Sequence, residues 1–253
     1  MAPALSVVLP AYNEEANLEA VVERALTVLP EIVGEHEVIV VDDGSRDGTS
    51  EVALTLARAH PGRVRVLRHE PNQGYGAAIR TGFRHARGEL VFYTDADNQF
   101  DIAELEWFLP MMADHDMVIG FRVYRYDTVL RSIVSWCYNR LVRVLFRVRV
   151  RDVDCAYKLL RREVLQKITI ESDDFFVDTE LVAKARKWNF RIAEKGVRHY
   201  PRVAGETTVA ASDVPRTLRT IGSMWLRIYV PTRADRALME AARERDTAVE
   251  LTP

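Results

Sequence analysis

The stretch Leu90-Val91-Phe92-Tyr93-Thr94-Asp95-Ala96-Asp97-Asn98-Gln99 decides how this chain folds. An apolar run of strand-forming residues enters two carboxylates spaced i, i+2, with a side-chain amide two positions further on. If the strand continues to Asp97, its period of two points Asp95 and Asp97 to the same side. Two carboxylates and an amide carbonyl are hard oxygen donors. They are too few to enclose a cation but enough to hold one that also grips a phosphate. The competing reading is an acidic turn capping the helix that follows, and this segment alone leaves both open.

The same plan recurs on either side. Residues 5–10 form a short apolar run that opens into Pro10-Ala11-Tyr12-Asn13-Glu14, and residues 38–41 run into Asp42-Asp43-Gly44-Ser45. Between them, residues 14–29 have helical periodicity through Leu18, Val21, Val22, Ala25 and Leu26. Further helices are expected over 49–59, 73–86 and 103–112, and strands over 64–67 and 117–119. Apolar strands alternating with amphipathic helices predict an α/β chain with a mostly parallel sheet covered on both faces. Ligands of such sheets sit beyond the carboxyl ends of the strands, so the three polar clusters share one rim.

The 253 residues, 48% hydrophobic and 28% charged, suit a soluble globular chain of one large or two small domains. The longest uncharged run, residues 1–13, is shorter than the ~20 apolar residues of a membrane span and lacks the basic start of a signal peptide. A cytoplasmic location is therefore expected, with Cys137 and Cys155 as free thiols. Charge is lopsided: residues 1–120 carry 9 basic and 20 acidic side chains, whereas 121–165 carry 11 and 4. The basic block is mostly arginine, which suits bidentate contact with phosphate or simply a solvated face. Nucleic acid is not expected as a partner, because the acidic half would repel it.

Residues 127–150 read as one long helix, with an apolar stripe of Leu130, Val134, Cys137, Leu141, Leu145 and Val148 and a basic stripe of Arg140, Arg143 and Arg147. Arg131 and Ser135 stand one turn apart on a third side. The pattern fits an interfacial helix on an anionic membrane or a surface helix packed on the core. Residues 215–229 form a second arginine-bearing amphipathic segment, and a frayed helix or disorder is expected beyond Pro231.

Other motifs are weaker. Asn72-Gln73-Gly74-Tyr75-Gly76-Ala77-Ala78-Ile79-Arg80 fails the dinucleotide fingerprint at Ile79, so NAD is not expected. A carboxylate at Asp42-Asp43 can accept from a ribose hydroxyl or a base N–H. Asp178 and Glu180 open a helix, where acids are common anyway, and Asp178 gains a functional reading only if it faces the rim. The stretch from His199 to Thr207 reads as a strand end opening into a flexible loop, where Arg202 could fold over a phosphate.

Together these residues resemble the family 2 glycosyltransferases of GT-A fold, nearest the dolichol-phosphate mannosyltransferase and polyprenyl-phosphate hexosyltransferase group. The similarity spans residues 5–208, through Leu9-Pro10-Ala11-Tyr12-Asn13-Glu14, Val41-Asp42-Asp43-Gly44-Ser45, Asn72-Gln73-Gly74, Asp95-Ala96-Asp97-Asn98-Gln99, Gly120-Phe121-Arg122 and the stretch 202–207. The resemblance implies a mixed, mostly parallel sheet flanked by helices. It implies a catalytic domain over 1–211, with a nucleotide-sugar half at 1–120 and an acceptor half at 121–211. An amphipathic helix at 212–230 and a tail at 231–253 would follow.

Pro10, Tyr12, Glu14, Asp42 and Asp43 would then contact the donor nucleotide, and Asp95, Asp97 and Gln99 would hold Mg2+ or Mn2+ on its diphosphate. Arg122, Arg131 and Ser135 match positions that bind the acceptor phosphate, and Arg202 matches a donor-side arginine. The chain departs from the family pattern at Tyr75, at Cys155 and over residues 100–104. The implied reaction is inverting transfer of a hexose, mannose or glucose, from GDP-mannose or a UDP-hexose to a polyprenyl or dolichyl phosphate. It would take place at the inner membrane face, through peripheral contact or a membrane partner subunit. The alternatives are a sugar-to-sugar transferase with Asp178 as base, a nucleotidyltransferase, or a non-catalytic nucleotide-sugar-binding module.

Overall fold

Alternation along the first strands sends their side chains into two separate cores. Strands β1 (Leu5–Ala11), β2 (His36–Asp42), β3 (Val64–Arg68) and β4 (Leu90–Thr94) pair in parallel in the order β3-β2-β1-β4. Val8, Ile39, Val41, Val91 and Tyr93 face one side of the sheet, and Val7, Leu9, Val38, Val40 and Phe92 face the other. Helices α1 (Leu18–Ile32) and α2 (Thr49–Ala59) close the second core, while α3 (Tyr75–His85) packs in the first. This is the alternating α/β pattern read from the sequence, with strands and helices where the periodicity placed them.

The computed structural model describes residues 3–123, 129–201, 214–230 and 249–251, with side chains described at 3–123, 136–201 and 219–230.

The second half adds β5 (Met117–Arg122), β6 (Tyr157–Arg161) and β7 (Ile192–Val197). Strand β6 lies antiparallel between β4 and β5, and β7 runs parallel to β5. With β8 (Val249–Leu251) antiparallel on β3, the sheet has eight strands in the order β7-β5-β6-β4-β1-β2-β3-β8. Thr94 pairs with Tyr157, so β6 begins at the rim where β4 ends, and β5 delivers Arg122 to the same rim. Neither β6, with Lys158 near its start and Arg161 at its end, nor β7, with Glu194, Lys195 and Gly196, shows a strand-like apolar pattern in the sequence. Of the tail beyond Pro231, expected as frayed helix or disorder, the described part is the strand β8.

Some elements differ from the sequence reading. The helix expected over 103–112 is two 3-10 segments, Ile102–Trp107 and Leu109–Ala113. Pro110 has no N–H to continue an α-helix and its ring would clash with the preceding turn. Helix α4 (Val129–Phe146) stops short of residue 150, because Arg147 takes a left-handed φ of 53°. Its buried face is also rotated from the predicted stripe. Asn139, Val142 and Phe146 are buried, whereas Cys137 is exposed. Tyr138 and Asn139 carry polar tips that an apolar count passes over, yet both are bonded inward, to Thr179 and to the Val153 amide.

Helices α5 (Arg162–Lys167), α6 (Val177–Lys187) and α7 (Val214–Tyr229) complete the chain. The indole of Trp225 donates to the Leu145 carbonyl at 3.0 Å and the Tyr229 hydroxyl to the Phe146 carbonyl at 2.8 Å, which fastens α7 to α4. Among the described residues no helix is long and apolar enough to cross a membrane.

Candidate functional site

Two loops interlock at the carboxyl ends of β1 and β2. The Asn13 amide donates to Ser45 Oγ at 3.0 Å, and the Arg46 amide returns to Asn13 Oδ1 at 2.9 Å. The Glu14 amide donates to Thr49 Oγ1, and the Gly48 amide to Glu15 Oε2, both at 2.9 Å. Asn13 takes a left-handed φ of 56°, which asparagine tolerates better than most side chains. Tyr12 is left exposed on this rim, Glu14 accepts from Asn17 Nδ2 at 2.7 Å, and Pro10 lies buried in β1.

Asp42 and Asp43 look alike in sequence but differ in use. Asp42 is wholly buried and its carboxylate takes the Ser45 amide at 2.9 Å and the Ser50 hydroxyl, so it holds the turn into α2. Asp43 anchors the loop between β3 and α3. It accepts from the Gln73 and Gly74 amides at 2.9 Å each and meets His69 Nδ1 at 2.6 Å, while Asn72 Nδ2 donates to its carbonyl at 2.8 Å.

At the end of β4 the strand stops at Thr94, before either acid, and Asn98 turns left-handed with φ 60°. Strand period therefore does not set the directions of Asp95 and Asp97; side-chain bonds do. Tyr75 Oη donates to Asp95 Oδ1 at 2.7 Å, the Gln99 amide N–H donates to Asp97 Oδ1 at 3.1 Å, and Gln99 Nε2 donates to the Tyr200 carbonyl at 2.9 Å. Burial first, and then the neighbouring Asp97 charge, push the Asp95 carboxyl up to about 8. Crowded carboxylates with a hard amide oxygen nearby suit a divalent cation, whose charge would relieve that repulsion. Among the described residues no cluster of three or more His, Cys, Asp or Glu side chains could hold an ion unaided. Part of any such ion's coordination would come from a bound ligand or water.

Behind these acids lies a polar group that the sequence reading did not identify. Lys158, fully buried on β6, meets Asp178 Oδ1 and donates to the Cys155 carbonyl at 2.6 Å, while Tyr93 Oη donates to the same Asp178 oxygen at 2.5 Å. The available signal was a lysine between Tyr157 and Leu159-Leu160, because an ammonium buried among such residues requires an anionic partner. Asp178 thus faces inward from α6, and its carboxylate is fixed in an ion pair. Half-buried Asp154 lies near this group; burial, then Asp178 and Asp152, push its carboxyl up to about 7.

Arg122 is braced side-on by Asp152, with Nε to Oδ2 at 2.7 Å and Nη2 to Oδ1 at 2.9 Å, leaving Nη1 outside the pair. Asp152 was also missed in the sequence, since nothing local links it to a residue thirty positions earlier. Arg131 and Ser135 lie on the α4 backbone, but their side chains, like all of Arg202, fall outside the described residues. The structure thus brings Tyr12, Glu14, Asp95, Asp97, Gln99 and Arg122 to one rim, turns Asp42 inward, and buries the Asp43 carboxylate beneath the loop it anchors.

The model of the family described as Glycosyl transferase family 2 matches residues 6–169. This chain is a family 2 glycosyltransferase. Polyprenol monophosphomannose synthase of Mycolicibacterium smegmatis is 32% identical to this glycosyltransferase, over 91% of the chain and 89% of its own length. Glycosyltransferase AglD of Haloferax volcanii is 34% identical over 89% of the chain, but the chain spans 37% of that protein. Glucosyl-3-phosphoglycerate synthase from Mycobacterium tuberculosis, in complex with Mn2+, UDP and glucosyl-3-phosphoglycerate, shares the fold with a TM-score of 0.68. Its identity is 21%, over 91% of this glycosyltransferase and 82% of that chain.

Proposed function

We propose that this glycosyltransferase moves a hexose, with inversion, from a nucleotide sugar to a polyprenyl or dolichyl phosphate, using Mg2+ or Mn2+ held at Asp95, Asp97 and Gln99. Bound there, the ion would act as a Lewis acid toward the departing nucleoside diphosphate. Tyr12, Glu14 and the loop that Asp43 anchors would line the donor nucleotide. Asp42, with no exposed surface, is left out of that set. Arg122, oriented by Asp152, would present Nη1 to the acceptor phosphate, with Arg131 and Ser135 on α4 beside it and Arg202 on the donor side.

The observation that carries this reading is the Lys158–Asp178 pair. A hydroxyl acceptor needs a base to take its proton, and the one base named from the sequence is buried against an ammonium. A phosphate monoester has a second pKa of ~6 and arrives already ionised, so orientation by cationic side chains suffices. The mannosyl-lipid product in the Mycolicibacterium relative's name supports the same acceptor class. Exposed Trp136 and Val144 on α4, with Leu226 and Val230 at α7, support peripheral contact with a lipid surface.

One observation favours a second reading. Asp154, with its carboxyl near 7, has the proton affinity of a general base for a sugar hydroxyl. Paired acceptors separate the two. A polyprenyl phosphate should accept the hexose in both the unmutated and the Asp154→Asn proteins. Transfer only to a sugar hydroxyl, lost in Asp154→Asn, would establish the second reading instead.

A further inference from the structure

We infer that Tyr75 is a positioning residue that holds Asp95 ready for the divalent cation, and that Phe175 braces Tyr75 in that task. The inference rests on the assignment of Asp95 and Asp97 to a metal. Because β4 ends at Thr94, no strand ladder fixes Asp95, and the 2.7 Å bond from Tyr75 Oη to Oδ1 is the side-chain contact that aims its carboxylate. A donor on one carboxylate oxygen fixes the rotamer and favours the ionised form, as outer partners of metal-bound carboxylates do.

Tyr75 is itself held. It opens α3, and its ring stacks on Phe175 with centroids 5.3 Å apart and planes 27° from parallel. Phe175 is a large apolar side chain that is 53% exposed, and the stack is the contact that accounts for its place. The segment carrying it is clamped to the first turn of α3. The Gly76 amide donates to the Asp173 carbonyl at 3.0 Å and Arg80 pairs with Asp173 at 2.7 Å. Glu180 ties down the other end by accepting from the Glu171 and Ser172 amides at 2.9 and 2.8 Å. The approach requires glycine: a Cβ at Gly76 would sit 2.2 Å from the Ser172 carbonyl oxygen. Two rings on separate segments are thereby locked together, with one hydroxyl at their far end on Asp95.

Manganese binding, followed without turnover by electron paramagnetic resonance of free Mn2+, tests this directly. Tyr75→Phe keeps the ring and the stack and removes a single O–H. It should bind Mn2+ about tenfold more weakly, with unchanged melting temperature and unchanged UDP binding in EDTA. Phe175→Ala should shift Mn2+ affinity in the same direction by less. In an Asp95→Asn background, Tyr75→Phe should change Mn2+ affinity by less than about twofold, since the bond it removes is already altered. Mn2+ affinity of Tyr75→Phe within twofold of the unmutated chain overturns the inference while leaving the metal assignment standing. An unmutated chain that binds no Mn2+, with or without UDP, overturns both.

Discussion

Lys158 and Asp178 form an ion pair inside the protein: the lysine has no exposed surface, and Tyr93 donates to the same carboxylate oxygen at 2.5 Å. The pair joins β6 to α6 directly behind the acids at the end of β4. It sets a lysine among the carboxylates there, and it engages one Asp178 oxygen from two sides.

Breaking that pair from one side should be severe. Lys158→Met leaves a buried carboxylate without its cation and should lower unfolding free energy by about 3–5 kcal/mol, read from urea midpoints. Adding Asp178→Asn to Lys158→Met should recover part of the loss. A double variant no more stable than the single one would mean that the two residues act independently.

Asp154 predicts a pH signature. Below about pH 4 its carboxyl is protonated in both folded and unfolded chains and has no effect on their balance. As pH rises toward 7, the unfolded chain releases a proton that the folded chain retains at a carboxyl raised to about 7, so stability falls across that window. Asp154→Asn abolishes the titration. Its stability relative to the unmutated chain should therefore climb between pH 4 and 7 and level off above. A difference that stays flat with pH would show that Asp154 titrates normally.

Gly74 tests the clamp between α3 and the segment before α6. Its φ of 100° and ψ of 157° fall in a region open essentially to glycine, and a Cβ there would stand 2.1 Å from the Asp173 carbonyl oxygen. Gly74→Ala should lose at least about 1–3 kcal/mol from the backbone alone, measured by thermal or chemical denaturation. A stability change within 0.5 kcal/mol, roughly the level of a neutral surface substitution, would contradict the close approach.

At the proposed metal site, Asp97→Asn should lower turnover at saturating Mn2+ by about a hundredfold or more, because a Lewis acid supplies several kcal/mol to charge developing on a leaving group. UDP binding in EDTA should persist in the variant. Undiminished, metal-dependent turnover would remove Asp97 from the ligand set.

The first half of the chain was legible because it is local. Val38 to Asp43 and Leu90 to Asp97 each carry a buried strand and the rim acids in one short run, and the parallel character of the sheet followed from the alternation of strands and helices. The second half was less so. Lys158 disguises β6 as a polar segment, and its partner lies twenty residues on in α6. Asp152 reaches Arg122 across thirty residues, a pairing that only the fold creates. Sequence also could not separate Asp42 from Asp43, since which of two adjacent carboxylates turns into the loop before α2 is decided by Ser45 and Ser50. Tyr75 stood out as a departure from the family pattern, but its role depends on a ring from a distant segment.

The central claim is transfer to a lipid phosphate. Purified chain with Mn2+ and a polyprenyl phosphate, offered GDP-mannose, UDP-glucose and UDP-N-acetylhexosamines in turn, gives the most direct test when the lipid fraction is read by mass spectrometry. The account predicts that one donor adds a single sugar residue to the polyprenyl phosphate, and that the product disappears with EDTA or in Asp97→Asn. A lipid left unmodified by every donor, with the sugar delivered instead to a hydroxyl acceptor, would contradict it.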